Sequence, residues 1–531
     1  MSVSNNTLDN WKRLKRDGNG RLTKRANKSC SPRLFIPRNL LKKESLAQTE
    51  SICAYIRDKG LSAEIAVNSV CLNELDRLPQ TAGVRRLTEE AESAFDEELR
   101  NAVLPAESDA AGLIYQSVLA EGAKSELGSY YTSEAVAAEL LKDVKGVLLD
   151  PACGSGSFLL SSGLPPERLI GVDKDPLAVR IAKTNMFKKF AGYDFEPDIR
   201  CEDFLEGSYR ADTVATNPPW GGRTENAGLA RIAGTTESYA LFAVKALSVA
   251  SEVRLLLPES LISAVGYAKL RNYLRDRLYK IVTFGRVFDQ VLSKAMGIFL
   301  SDAPGEYVSL VSDGKERLLP RRNFGSEWTF CDEADLEEIE SYYRVPHVLL
   351  DADFAMGIVT GDNAGTLREA PFEGGEPVIT GKDIERYVIK KPRYYIRYDR
   401  ENFQQSVPEK CFRQEKLVYK FISHRPVFAY DGEGRLTLNN ANFLVPRGMN
   451  IKYVLAVLNS SVTEKIYRSR FRTEKVLKSN LKTLPIPLAD EQIQREIAAE
   501  VDLVIAGKPD KDLDEKVRKI FSGEMCNFPS R

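Results

Sequence analysis

The chain has 531 residues, too many for one ordinary core, and its length calls for roughly two to four domains. Hydrophobic residues make up 43% and charged residues 28%, a globular balance that excludes bulk disorder. Lys plus Arg and Asp plus Glu number 75 each, so attraction to a polyanion requires a local basic surface rather than a net field.

The first such concentration is N-terminal. Lys12, Arg13, Lys15, Arg16, Arg21, Lys24, Arg25 and Lys28 stand against only Asp17, without sustained periodicity. Residues 1–37 therefore read as a solvated basic arm rather than a targeting segment. Residues 38–123 read as helical, with stretches such as "LTEEAESAFDEELRNAV" carrying apolar residues at helical spacing. Across 124–326 the rhythm changes to short apolar runs that end in turn or polar residues: 146–150, 168–173, 198–204, 213–217, 253–258, 280–285, 297–302 and 307–312. Helix-like stretches, "PLAVRIAKTNMFKKF" and "SYALFAVKALSVA" among them, separate several of these runs. Such alternation predicts an α/β, doubly wound, largely parallel sheet, and the last runs, which lack intervening helices, predict an antiparallel edge. An acidic, linker-like segment follows at 327–346. Residues 346–490, rich in Gly, Arg and Tyr with many short β-like runs, form a second domain, and 491–531 a charged helical tail.

Eight cysteines without a CxxC pair and two histidines, His347 and His424, point to no metal site, no disulfide framework and no histidine triad. No apolar run reaches the length of a membrane span and no signal peptide is evident, so a cytoplasmic location is expected.

The chemistry begins at "VLLDPACGSGSFLL", a buried strand, a turn with Gly154 and Gly156, and a helix starting near Ser157. Those glycines let the backbone approach a ligand closely. The loop lacks the GK[ST] of a phosphate-binding loop and the third Gly of a dinucleotide site. The second run ends in "GVDKDP", which puts Asp173 where a ribose diol is held in doubly wound folds. The third ends in "CEDF", offering Asp203 to an adenine amino group with Phe204 beside it. Either acid alone could be a helix cap; the three strand ends together indicate a nucleoside ligand without a pyrophosphate. The fourth ends in "TNPPW". An amino group conjugated to a ring is a poor nucleophile. Two fixed acceptors, the Asn217 side-chain carbonyl and the Pro218 backbone carbonyl, can take both its hydrogens and favour the pyramidal, reactive geometry. The prolines stiffen that corner, and Trp220 offers a flat face for a base. The bland alternative is a turn with a core tryptophan.

In their order these residues resemble the N6-adenine DNA methyltransferases of the gamma arrangement, especially the TaqI-like ones. The resemblance implies a class I methyltransferase-type sheet of seven strands over 124–326, preceded by the helical region and followed by an α+β target-recognition domain. It implies S-adenosylmethionine as cofactor and double-stranded DNA as partner. In "GSYYTSEAVAAELL" it places Thr132 against the cofactor, although Ser133 stands where the family commonly has Pro. Asp150, Ala152, Gly154 and Gly156 correspond to the methionine-binding loop, Asp173 to the ribose ligand, and Asp203 with Phe204 to the adenine site. Phe242 in "YALFAVKA" is implied to stack on the cofactor adenine. Phe288 in "VFDQVLSKAMGIFL" is implied to sandwich the target base opposite Trp220. By spacing alone both read as core aromatics.

The likeness continues through "PVITGKDIERYVI", "EKLVYKFISHRPVFAYDGEGRLTLNN" and "VLAVLNSSVTEKIYRSRFRTEKVLKSNLKTLPIP". Lys416, Lys420, Arg425, Arg468, Arg470, Arg472, Lys475, Lys478 and Lys482, interleaved with Tyr and Phe, are read as a basic surface. Of these, Lys420, Arg425, Arg470, Arg472, Lys475 and Lys478 are expected on DNA. The expected reaction is methyl transfer to N6 of an adenine flipped out of duplex DNA, in a restriction–modification or other DNA-defence setting. A separately encoded cognate endonuclease is the expected companion. Rival readings are an N-methyltransferase acting on cytosine N4, RNA or protein glutamine, a nuclease fusion, and a non-catalytic DNA-binding specificity subunit of a defence complex. The N-terminal stretch shows no D…ExK cluster for a nuclease, and intact "DPACGSGSF" and "NPPW" speak against a degenerate site.

Overall fold

The computed structural model describes residues 36, 43–119, 132–288, 294–471, 473–509 and 512–525. The expected basic arm, 1–37, lies outside these but for Ile36. The described residues fall into two compact units: those up to 261 together with 266–326, and 262–265 together with those from 327 onward.

The first unit is built on a sheet of β1 (Leu148–Asp150), β2 (Leu169–Asp173), β3 (Asp198–Cys201), β4 (Ala211–Thr216), β5 (Ala250–Pro258), β6 (Leu278–Gly285), β7 (Ala295–Ser301), β8 (Tyr307–Ser312) and β9 (Lys315–Pro320). Among the described residues the strand order is β3-β2-β1-β4-β5-β7-β6-β8-β9. The five strands from β3 to β5 pair in parallel. β7 runs antiparallel to both β5 and β6. β5 and β7 bury nearly every residue, as strands covered on both faces must. The expected antiparallel edge is thus present, and it extends one strand further. Asp313 and Gly314, both at positive φ, form a two-residue hairpin turn that leads into β9. Strand order reverses between β1 and β4, and the crevice at the carboxyl ends beside that reversal is where doubly wound sheets bind ligands.

The helical region belongs to this same unit. Helices Ala63–Leu75, Ala82–Ala91 and Ala110–Val118 begin at Ser62, Thr81 and Asp109, whose side chains accept a backbone N–H of the first turn. Ala66, Val67, Val70 and Cys71 join Ile181 and Phe187 of helix Pro176–Lys189 in one hydrophobic cluster. At Gly83 the packing is close enough that a Cβ would lie 2.7 Å from the Phe187 ring. Helix Pro176–Lys189 buries residues around much of its circumference, so the helical layer and the sheet share it, and no division falls near residue 124.

The second unit mixes strands and helices. One sheet orders Ala352–Ala355, Ala441–Pro446, Lys416–Lys420 and Phe428–Asp431; another orders Tyr394–Ile396, Glu376–Ile379 and Leu436–Thr437. Residues 327–346 are not a linker. Helix Glu333–Tyr342, capped by Asp332, buries Leu336, Ile339 and Tyr342 in the unit's core, leaves Glu333, Glu337 and Glu340 exposed, and pairs Asp335 and Glu338 with Lys465. The tail is equally integrated: Ile497 and Val501 of helix Glu491–Ile505 and Val517, Ile520 and Phe521 of helix Leu513–Phe521 enter the same core.

Candidate active site

A cavity of about 540 Å³ opens where β1, β2, β3 and β4 end. Its wall includes Thr132, Asp150, Ala152, Gly154, Asp173, Phe204, Asn217 and Phe242, so the structure brings most of the residues expected at the cofactor together with Asn217.

The glycine loop is held by the neighbouring strand. Gly154 N donates to Asp173 Oδ2 at 2.9 Å, and Asp175 N donates to Asp173 Oδ1 at 3.0 Å. A carboxylate has about four acceptor positions, so Asp173 retains capacity for a diol. Gly154 has φ +52°, and among the described residues nothing lies within 4 Å of where its Cβ would be: the position keeps room for a ligand. Gly156, at φ +92°, caps the five-residue helix Ser157–Ser161, and a Cβ there would lie 3.6 Å from that of Ala182. Asp150 accepts from Ala152 N at 3.2 Å, and burial pushes its carboxyl up to about 7. Burial raises the Asp173 carboxyl too.

At the third strand end, Phe204 and Phe242 lie 5.2 Å apart between ring centroids and form an aromatic wall. Glu202, not Asp203, is the acid on that wall. Asp203 turns to its own chain, accepting from Leu205 N at 2.9 Å and pairing with Lys174 Nζ at 2.6 Å. Glu202 in turn accepts from the Tyr209 hydroxyl at 2.9 Å. Neighbouring residues at a strand end point to opposite sides, and sequence alone does not decide between adjacent acids.

The helical region also contributes residues that sequence reasoning missed. Gly112, Tyr115 and Gln116 line the cavity. Tyr115 donates its hydroxyl to Asp175 Oδ2 at 2.5 Å. Asp109 accepts from Ser155 Oγ at 2.5 Å, Asn185 Nδ2 at 2.8 Å and Gly112 N at 2.8 Å, which ties helix Ala110–Val118 to the glycine loop. Only the helix-start pattern at "SDAAGLIYQ" was available to sequence, and it carries no sign of these distant partners.

After β4, Asn217 Nδ2 donates to Thr132 Oγ1 at 3.1 Å. Asn217 and Pro219 line the cavity and Pro218 is buried. Trp220 anchors its indole N–H on the Leu256 carbonyl at 3.2 Å. Its ring meets Phe288 edge to face, 5.2 Å between centroids and 83° between planes, so a base can enter between them only if they separate. Together the cavity offers an aromatic wall, a carboxylate with spare acceptor capacity and a glycine loop without obstruction, a set that fits a nucleoside with a charged aliphatic tail.

Residues 106–236 match the family described as N-6 DNA Methylase, and residues 376–486 match the TaqI-like C-terminal specificity domain. The chain is a DNA methyltransferase that carries these two regions in that order. The methylase carries its sheet in the strand order of class I S-adenosylmethionine-dependent methyltransferases. It is 29% identical over 345 residues to the Type II methyltransferase M.VspI of Vibrio sp. (strain 343), across 59% of this chain and 84% of that protein. A methylase subunit of the Type I restriction enzyme MjaIX of Methanocaldococcus jannaschii is 33% identical over 133 residues, 21% of this chain and 23% of its own. In fold the methylase resembles the Type IIL restriction-modification enzyme MmeI, solved in complex with DNA: TM-score 0.57, 12% identity, 93% of this chain and 91% of that one. The Type ISP enzyme LlaGI, also solved with a DNA substrate mimic, gives TM-score 0.51 at 13% identity over 89% and 69%. These matches favour none of the rival readings. No helix among the described residues is long and apolar enough to cross a membrane.

The specificity domain places the expected basic residues unevenly. Lys475 lies over the Phe421 ring at 5.9 Å, and Lys478 over Phe354 at 5.4 Å, shared with Lys482 at 6.0 Å. Lys420 is half-buried at the end of its strand. Arg425 is exposed and pairs with Glu464. Arg470 is occupied internally, 3.1 Å from Glu327 and stacked 4.8 Å over Tyr343. Arg472 lies outside the described residues. Lys416 is no surface residue: it is fully buried, 2.5 Å from Asp431 and 2.6 Å from the Phe412 carbonyl, because its strand is buried along both faces and Asp431 stands directly across.

Proposed function

We propose that the methylase transfers the methyl group of S-adenosylmethionine to N6 of an adenine swung out of duplex DNA, as the modifying half of a restriction–modification system. The observation that supports it best is the Thr132–Asn217 hydrogen bond on the wall of the cavity that also carries Asp173, Phe204 and Phe242. With the amide N–H on that hydroxyl, the Asn217 carbonyl is the acceptor proposed for an amino substrate.

S-adenosylmethionine, when bound, supplies an electrophilic methyl carbon on a sulfonium. Gly154 leaves room for its methionine portion beside the backbone, Asp173 receives the ribose hydroxyls, and Phe204 with Phe242 covers the adenine. Asn217 Oδ1 and the Pro218 carbonyl each accept one N6 hydrogen of the target base, which directs the nitrogen lone pair at the methyl carbon. Trp220 and Phe288 separate to stack the extruded base and offset the few kcal/mol that unstacking costs. A cytoplasmic location and a separately encoded endonuclease that cuts the unmodified site are proposed with it.

Asn217→Ala should abolish incorporation of labelled methyl into duplex DNA and leave S-adenosylmethionine affinity within a few-fold of wild type. Nucleoside mass spectrometry of DNA treated with wild type should show N6-methyladenine. Retained turnover in the variant, or methylcytosine as the product, would overturn the proposal.

A further inference from the structure

Three guanidiniums converge on one carboxylate in the second unit. Glu464, in the first turn of helix Ser461–Arg470, meets Arg386 at 2.5 Å, Arg425 at 3.2 Å and Arg468 at 3.5 Å. Both carboxylate oxygens are used, yet three positive charges surround one negative charge. The nearest acid in sequence, Glu385, is taken by Lys390 at 2.5 Å. Arg425 and Arg468 have half to two-thirds of their side chains exposed, where an ion pair adds little to stability. Fold stability alone therefore does not account for the arrangement.

Two features single out Arg386. Its Nε is buried without a hydrogen-bond partner among the described residues, an unmet donor beside an excess of positive charge. The next residue, Tyr387, is a buried aromatic at φ +71°, a conformation that bulky residues rarely adopt and that glycine favours. Tyr387 holds this backbone through its N–H to the Phe428 carbonyl at 2.8 Å, with Tyr430 N returning to the Tyr387 carbonyl at 3.2 Å. Ile384 and Ile389 close the turn as a bridge. The strained turn, pinned to the strand Phe428–Asp431, fixes where Arg386 emerges.

We propose that Arg386, Arg425 and Arg468, gathered by Glu464, form a clamp for a phosphodiester of the DNA backbone. The planar guanidinium fork matches phosphate oxygens, and a carboxylate that holds the forks in place before binding reduces the ordering they must undergo. A phosphate contact sets the register of the protein on the duplex without reading sequence. This inference rests on the reading of the chain as a DNA methyltransferase and extends it to residues outside the cavity.

The test is the salt dependence of duplex DNA binding by the full chain. Each phosphate neutralised contributes about 0.9 to the slope of log K against log salt. Arg386→Gln combined with Arg468→Gln should lower that slope by about one and weaken binding roughly tenfold at 0.1 M salt, equally for unrelated duplexes. Lys at both positions should keep most of the slope, and S-adenosylmethionine binding should stay unchanged in every variant. Should the double variant misfold by thermal melting, Arg468→Gln alone, at an exposed position, carries the same measurement. A folded Gln variant with the wild-type slope and affinity would overturn the clamp while leaving the methyltransferase reading intact. Wild type that neither binds nor methylates duplex DNA would remove that reading, and the clamp with it.

Discussion

Asp150 closes β1 in a fully buried position, and burial holds its carboxyl near 7, far above the usual carboxylate range. The folded chain therefore binds a proton there that the unfolded chain releases near 4. The stabilising contribution of that proton is complete below about pH 4 and is lost as pH rises through about 7. Without cofactor, Asp150→Asn should raise the melting temperature at pH 8 and change it little at pH 4. A cationic cofactor reverses the preference, because it favours the ionised carboxylate. Affinity for S-adenosylmethionine should then weaken as pH falls below about 7, by at most about tenfold per pH unit, and Asp150→Asn should flatten that dependence. Calorimetric titration between pH 5.5 and 8 checks both; a pH-independent affinity in wild type would remove Asp150 from cofactor binding. Thr132 allows a sharper test of geometry. Thr132→Val keeps the shape but removes the oxygen that receives Asn217 Nδ2. Single-turnover methyl transfer should slow roughly tenfold to a hundredfold, the cost of a small misplacement of a reacting group. Thr132→Ser, which retains the oxygen, should recover most of the rate.

Helix Glu333–Tyr342 shows why part of the second unit escaped the sequence. Its five acids mask Leu336, Ile339 and Tyr342, which repeat at the three-residue spacing of a buried stripe. Ile339→Ala should destabilise this unit by about 2–4 kcal/mol through the cavity it leaves. DNA binding should fail at a lower temperature while cofactor affinity holds; a cofactor site lost in parallel would show that the helix supports more than its own unit. Strands β1, β2, β4, β5 and β7 were legible because each is an apolar run with a polar stop, and the ends of β1, β2 and β4 line the cavity. β9 was not, since four of its six residues are exposed and half-charged, although Asp313–Gly314 is a strong hairpin signal. Lys416 reads as a surface cation in any local window; only the cross-strand register, Lys416 against Asp431, reveals its burial. The same limit applies to Glu202 and Asp203, where a rotation by one residue decides which acid meets the cavity.

The methylase unit extends beyond its sheet. Its family match begins at residue 106, upstream of the first strand, and the structure supplies a physical reason. Helix Ala110–Val118 contributes Gly112, Tyr115 and Gln116 to the cavity wall and is joined to the glycine loop through Asp109. Behind it, helix Ala63–Leu75 covers Ile181 and Phe187 of the helix that follows Asp173. A chain that starts at residue 120 should therefore lose cofactor binding altogether. Its glycine loop would lack the Asp109 anchor, and the newly bared face around Ile181 and Phe187 would promote association. Two point variants separate the local from the global part of this loss. Tyr115→Phe removes one hydroxyl and should weaken S-adenosylmethionine binding by about threefold to tenfold, the net worth of a hydrogen bond, with the melting temperature nearly unchanged. Phe187→Ala should lower stability by about 3–5 kcal/mol, with cofactor affinity preserved below the melting transition. A soluble truncated chain that binds S-adenosylmethionine as tightly as the full one would show that the helical layer is a passenger on the sheet rather than a wall of its active site.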